Sequence, residues 1–112
     1  KPLAGYQLAQ AKLVKMVQEI TKAQFLSLQL GRLKEAGELT PAQVSLVKMN
    51  NCKMALEIAR EARDMLGANG VIDEYPIITH MLNLESVNTY EGTEDIHRLV
   101  IGMNVTGHSA IK

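Results

Sequence analysis

TPAQVSLVKMNNCKMALEIAREARDMLG, residues 40–67, is the stretch on which the fold turns. It opens with Thr40-Pro41-Ala42-Gln43, a capping box in which the Thr40 hydroxyl accepts from the N–H of Gln43 and the Gln43 side chain reaches back. Pro41 falls at the first helical position, where its missing N–H is no loss. Val44, Val47, Ala55, Ile58, Ala59, Ala62 and Leu66 then recur at helical spacing. The alanines in that stripe permit close approach of a neighbouring helix. Gly67 and Gly70, around Ala68-Asn69, end the helix in backbone that can take positive φ.

The rest of the chain supplies the partner helices. Upstream, from about Leu8 to Leu33, apolar residues recur at helical spacing: Leu13, Val17, Ile20 and Leu30, joined by Met16, Leu26 and Leu33. Gly37 then supplies a stop within a polar turn. Downstream, Pro76 opens a shorter helix carrying Ile77, Ile78, Met81 and Leu82. Asn88-Thr89-Tyr90-Glu91-Gly92 reads as an exposed loop. Thr93 follows as an N-cap, with Glu94 and Asp95 in a first turn where the macrodipole favours carboxylates. Ile96, Leu99, Val100 and Met103 form the apolar stripe of the last helix. The expected architecture is all-α, an antiparallel four-helix bundle forming one domain.

Composition narrows the function classes. The chain has 112 residues, 46% of them apolar, enough to bury a core. Twelve basic and twelve acidic residues balance to a formal charge of zero, which argues against nucleic acid or an anionic membrane surface as partner. Aromatics are 4% with no Trp, so platforms for stacking bases are lacking. No apolar run reaches the roughly 18–20 residues of a membrane span. Cys52 is the single cysteine, which excludes an internal disulfide and a multi-cysteine metal site. The first residues, Lys1-Pro2-Leu3, carry no initiator Met and already read as helical, as expected of a piece of something longer.

The residues able to carry chemistry also have plainer readings. His80, His97 and His108 are dispersed, without helical ligand spacing, and read as solvated or partner-bonded surface histidines rather than metal ligands. Cys52 reads as a small buried or half-buried residue, and the six methionines as core filler. Gly67-Ala68-Asn69-Gly70 is no P-loop, since the Lys-Ser/Thr pair is missing and no strand precedes it. Glu91 stands between Tyr90 and Gly92, just before a helix N-terminus. Gly92 lets a ligand approach the backbone, and Tyr90 offers apolar cover that would raise a carboxyl pKa. Taken alone, a solvated loop glutamate still outweighs a base.

Three stretches change that balance. Asn88-Thr89-Tyr90-Glu91-Gly92-Thr93-Glu94-Asp95-Ile96-His97 resembles the Y-E-G-T signature of the acyl-CoA dehydrogenases. Ala62-Arg63-Asp64-Met65-Leu66-Gly67-Ala68-Asn69-Gly70 is similar to that family's Q-x-x-G-G-N-G segment. Lys1-Pro2-Leu3-Ala4-Gly5-Tyr6-Gln7-Leu8 resembles its K-P-L-x-x-x-Q helix start. They fall in family order, so the resemblance covers essentially the whole chain, and within the family only the C-terminal helical domain. Asn50-Asn51-Cys52, Ala62 to Gly67 and Asn83 to Thr93 resemble the glutaryl-CoA dehydrogenase subfamily almost residue for residue. The related short-chain acyl-CoA dehydrogenases and oxidases share Tyr90-Glu91-Gly92-Thr93 and are the nearest competitor. A helical interaction module that kept the scaffold and lost the chemistry is the alternative of another class, disfavoured by the presence together of Glu91, Thr93 and Gln7.

The resemblance implies an FAD enzyme that oxidises and decarboxylates glutaryl-CoA, an acyl-CoA thioester, to crotonyl-CoA. It implies Glu91 as the catalytic base for the α-proton, while hydride leaves the β-carbon for the flavin. The backbone N–H at Glu91 would help to polarise the thioester carbonyl. Gly92 matches a position packed against the substrate. Thr93, Glu94 and Asp95 match the turn that touches FAD, and Gln7 matches a further FAD contact. Asp64, Met65, Leu66, Gly67 and Ala68 match the loop that meets the adenine end of a neighbouring subunit's FAD. The implied partners are therefore a second copy, in a dimer or tetramer, and an electron-transfer flavoprotein as acceptor. The implied compartment is the cytoplasm in a bacterium or the mitochondrial matrix in a eukaryote. Asp64 replaces the family's common Gln, and Ala68 its second Gly, a fit that needs negative φ at Ala68. The family residues that bind the flavin ring and the glutaryl γ-carboxylate lie outside this stretch, so the chain by itself is expected to be inactive and to hold no stoichiometric FAD.

Overall fold

The computed structural model describes residues 1–111, and every described element is helical. Four α-helices follow in order: α1, Gln7–Glu35; α2, Pro41–Met65; α3, Ile77–Thr89; and α4, Glu94–Thr106. Short 3-10 turns precede α1 at Leu3–Gly5 and follow α2 at Gly67–Val71. The capping box is complete: Thr40 N donates to Gln43 Oε1 at 2.8 Å, and Gln43 N to Thr40 Oγ1 at 3.4 Å. Thr93 caps α4 by accepting from the N–H of Ile96 at 3.3 Å. α1 stops at Glu35, two residues before Gly37, which takes φ 73°.

α2 is the hub. α1, α3 and α4 each pack on it, and no other pair of these helices makes comparable contact. The all-α class is as expected, but the four helices do not close around a shared centre. The molecule extends over 54 × 29 × 23 Å with a radius of gyration of 17.0 Å, against about 13 Å for a compact domain of this length. Among the described residues only Ala9, Ala23, Leu56 and Ala59 are buried hydrophobic side chains. Most other α2 positions are half-buried, and a narrow exposed strip carries Lys53, Glu57, Arg60 and Asp64. None of the methionines is fully buried, so their role as core filler is only partial.

α1 departs most from expectation. Its non-exposed residues are Ala9, Lys12, Met16, Glu19, Ala23, Leu26, Leu30 and Leu33, alternating by three and four as in a coiled-coil seam. This seam lies on α2, where Asn51 Nδ2 donates to Ala23 O at 3.3 Å and to Ser27 Oγ at 2.9 Å. Leu13, Val17 and Ile20, expected in the core stripe, instead lie exposed with Val14 and Phe25. The helix carries two apolar faces, and α2 covers only one.

The glycines after α2 also divide. Gly67 takes φ 59°, as anticipated, whereas Gly70 has no positive φ. Gly70 is instead needed for space: a Cβ there would lie 2.1 Å from the carbonyl oxygen of Arg63. Cys52 is half-buried, as expected.

Leu56, 4% exposed at the middle of α2, is the largest buried side chain of this core. Leu56→Ala is expected to lower the unfolding free energy by about 2–5 kcal/mol in chemical denaturation.

Candidate functional site

α3 runs through Asn88 and Thr89, so the loop before α4 is shorter than expected and consists of Tyr90-Glu91-Gly92 around the Thr93 cap. Glu91 has φ 52° and is the one non-glycine residue with positive φ among those described. A glutamate gains nothing locally from that backbone, so the surrounding structure must hold it there. Gly92 follows at φ 99°, outside the range open to a side chain.

The restraint comes from α2. Lys48 Nζ donates to the carbonyl oxygens of Val87 at 2.8 Å, Tyr90 at 2.9 Å and Gly92 at 3.1 Å. The same ammonium lies 5.7 Å from the centre of the Tyr90 ring. On the other side of the loop, a Cβ at Gly92 would lie 2.8 Å from Cε1 and Nε2 of His97. His97 is therefore no surface histidine. It is 9% exposed, and both ring nitrogens are buried without a hydrogen-bond partner among the described residues. The Tyr90 expectation also fails within this chain: Tyr90 is 55% exposed and Glu91 is exposed, so the phenol does not shield the carboxylate.

The start of α4 is nearly neutral despite its acids. Glu94 pairs with Lys53 at 3.3 Å and with Arg98 at 2.5 Å, and Asp95 with Arg98 at 3.4 Å. The first N–H groups of a helix have no intrahelical partner and favour anions, so Thr93, Glu94 and Asp95 present backbone that an anionic cofactor can approach. The orphaned nitrogens of His97 beside them fit a further polar group.

The other residues singled out lie elsewhere. Gln7 is exposed at the start of α1. One turn on, Lys12 pairs with Glu61 at 2.8 Å and with Asp64 at 3.8 Å. The hydrogen bond to Glu61 leads in raising the Lys12 pKa above its ordinary value. Asp64 also meets Arg63 at 3.1 Å. Met65 lines a shallow cavity of about 200 Å³ with Leu3 and Tyr6. Leu66, Gly67 and Ala68 are exposed, and Ala68 has no positive φ, so its methyl fits the backbone. This cluster sits at the C-terminal end of α2, while Glu91 to Asp95 lie over Lys48 and Lys53. Lys48 and Asp64 are about 24 Å apart along the helix axis. One copy of the chain therefore keeps Gln7 and Asp64 to Ala68 apart from Glu91 to Asp95. A concavity of about 710 Å³ between α1 and α2, with Lys12 and Glu61 in its lining, holds none of the candidate site residues.

Lys48 and His97 carry no local sequence signal for these roles. Lys48 meets the loop across about forty residues of chain, and His97 looks like any polar position on α4.

Comparison with known proteins places the fold. The family model for the acyl-CoA dehydrogenase C-terminal domain matches residues 1–106. A crystal structure of glutaryl-CoA dehydrogenase from Mycobacterium smegmatis superposes on the whole chain with a TM-score of 0.96 at 54% identity. A second glutaryl-CoA dehydrogenase structure from M. smegmatis, in complex with FADH2, does so with a TM-score of 0.96 at 48% identity. This chain covers 29% of each of those chains. The short-chain specific acyl-CoA dehydrogenase of Megasphaera elsdenii is 28% identical over 102 residues, 91% of this chain and 27% of that protein.

Proposed function

This chain belongs to the acyl-CoA dehydrogenase family through that family's C-terminal domain, and from that premise we propose that it supplies the catalytic base, Glu91, to an FAD-dependent glutaryl-CoA dehydrogenase. The family consists of FAD-dependent oxidoreductases. The observation that carries the proposal is the strained Glu91, held at φ 52° between Tyr90 and Gly92 by Lys48. Backbone strain of about 1–3 kcal/mol persists only where the surroundings enforce it, and such residues gather at functional sites.

The carboxylate of Glu91 takes the α-proton of the acyl-CoA thioester. Its own backbone N–H, turned by the positive φ, donates to the thioester carbonyl and stabilises the charge that develops there. Gly92, without a side chain, lets the substrate lie against the loop. Thr93, Glu94 and Asp95 would hold FAD through the N-terminal turn of α4, and the cofactor would supply the acceptor for the hydride equivalent from the β-carbon. Because Glu91 is exposed here, the low-water surroundings that a carbon acid requires come from FAD, substrate and protein outside this chain.

The about 16–24 Å along α2 from Lys53 and Lys48, beneath one cluster, to Asp64, in the other, supports a site shared between protomers. Asp64 to Ala68, with Gln7 nearby, meet one FAD, and Glu91 to Asp95 act on another. The exposed apolar face of α1 around Val14, Val17 and Phe25 supports such burial against further protein. The protein's own acceptor is an electron-transfer flavoprotein in this reading.

Glutaryl specificity rests on the 54% identity to a glutaryl-CoA dehydrogenase, against 28% to a short-chain enzyme. The test is turnover by the flavin-loaded enzyme that contains this chain. Glutaryl-CoA is expected to yield crotonyl-CoA and CO2, with at least tenfold preference over butyryl-CoA in kcat/KM, a difference of about 1.4 kcal/mol. Equal use of butyryl-CoA, or oxidation without CO2, overturns the glutaryl assignment and leaves the base unaffected.

A further inference from the structure

Among the described residues, the one lysine ammonium bonded to backbone carbonyls alone is that of Lys48, at the turn that carries Glu91. An ammonium carries three N–H donors and no acceptor. At Lys48 they meet Val87 O, Tyr90 O and Gly92 O, at 2.8, 2.9 and 3.1 Å. No carboxylate among the described residues pairs with Lys48, whereas Lys12, Lys22 and Lys53 each do so with one. Its charge instead neutralises carbonyl dipoles where α3 ends, the end of a helix that favours a cation.

The choice of carbonyls matters. Val87 lies in the last turn of α3, where carbonyls lack intrahelical partners. Tyr90 and Gly92 flank Glu91 directly. The Tyr90 carbonyl shares its peptide plane with the Glu91 N–H, and the Gly92 carbonyl lies in the plane that leads on to Thr93; tying both to one point on α2 fixes the direction of the Glu91 N–H and pins the turn again just beyond it. The Tyr90 ring covers the same ammonium at 5.7 Å. His97 closes the opposite side, its ring filling the space next to Gly92. With neither neighbour free to rotate, Glu91 stays at φ 52°.

We propose that Lys48 is the positioning residue for the Glu91 base, its ammonium clamping the carbonyls on both sides so that the carboxylate and N–H face the substrate in a fixed geometry. This rests on Glu91 being the base, and the experiment separates the two. Lys48→Met keeps the length and apolar stem but removes all donors. Lys48→Gln keeps a short neutral donor that cannot span three carbonyls. Both are made in the full-length flavin-loaded enzyme beside Glu91→Gln.

Two quantities are read: the limiting rate of flavin reduction by glutaryl-CoA, and amide hydrogen exchange at residues 90–93 by mass spectrometry. For the Lys48 variants the limiting rate is expected to fall about 10- to 100-fold, because an ångström of misplacement has that effect on a positioned group. Substrate dissociation constant and flavin occupancy are expected to stay within about threefold of wild type, a split that general loosening of the fold does not produce. Exchange at residues 90–93 is expected to quicken at least about tenfold. If Lys48→Met does not accumulate as a flavoprotein, Lys48→Gln decides by the same criteria. A limiting rate within about twofold of wild type, or unchanged exchange, overturns the role of Lys48. Undiminished flavin reduction by Glu91→Gln overturns the base assignment itself.

Discussion

Glu91→Gln in the flavin-loaded enzyme is expected to bind acyl-CoA and keep its flavin, yet to reduce that flavin at least about 10²–10⁴-fold more slowly than wild type. An α-C–H is a very weak acid, and nothing else in the Tyr90-Glu91-Gly92 turn can accept its proton. Lys48 has its three donors engaged, and its cation offers no lone pair. His97 is the one nearby group with free nitrogens, but it lies buried beneath Gly92. Glutamine matches glutamate in size, so the loop and its φ of 52° should survive. The loss is then expected in the limiting rate and not in substrate affinity. Stopped-flow bleaching of the flavin absorbance measures both.

Gly70→Ala should lower stability about as much as emptying the core at Leu56. Its Cβ would enter to 2.1 Å from the Arg63 carbonyl oxygen and 2.9 Å from the carbonyl carbon. Both are backbone atoms in the last turn of α2, so relief requires the Gly67–Val71 turn to move off the helix. Overpacking of this kind costs about 3 kcal/mol, at the upper end of its usual range. Gly31→Ala is the matched control, since nothing lies within 4 Å of a Cβ there and it stands inside α1. Alanine at that site is expected to stabilise by about 0.5–1 kcal/mol. Denaturant midpoints for the two variants should therefore move in opposite directions. Gly70→Ala should also disturb Asp64 to Ala68, the segment assigned to a second protomer's cofactor.

Local signals in the sequence located the helices well. Thr40-Pro41-Ala42-Gln43 and Thr93 write their caps in adjacent residues, and both caps form. Which face of α1 turns inward was not legible, because Leu13, Val17 and Ile20 keep the same helical spacing as the seam through Met16, Ala23 and Leu30. Periodicity identifies apolar faces, but only the partner decides which is covered. Here α2 covers one, so the other is left open and the expected four-helix bundle is only partly formed. Gly70 shows a similar ambiguity: a glycine can mark positive φ or close backbone approach, and the letter is the same for both.

The site was legible along the chain and hidden across it. Tyr90-Glu91-Gly92-Thr93 stands out as a motif, and Gly92 marks the turn. That Glu91 itself carries positive φ follows from the Lys48 clamp, which joins residues far apart in sequence. Dispersed spacing makes His97 read as a surface residue, and the apolar stripe Ile96, Leu99, Val100 and Met103 gives no hint otherwise. In the structure Ile96 and Met103 are 46% and 43% exposed, while His97 is buried. The histidine occupies the inward position where α4 passes beneath Gly92.

Removal of a proton from carbon is the step assigned to Glu91, and solvent exchange reads that step without flavin reduction. An acyl-CoA analogue whose β-position cannot release hydride is incubated in D2O with the flavin-loaded enzyme, and α-deuterium incorporation is followed by NMR. Wild type is expected to exchange one α-hydrogen for deuterium at a rate well above the enzyme-free control, and Glu91→Gln to exchange it no faster than that control. Exchange by Glu91→Gln at the wild-type rate would show that another group removes the α-proton.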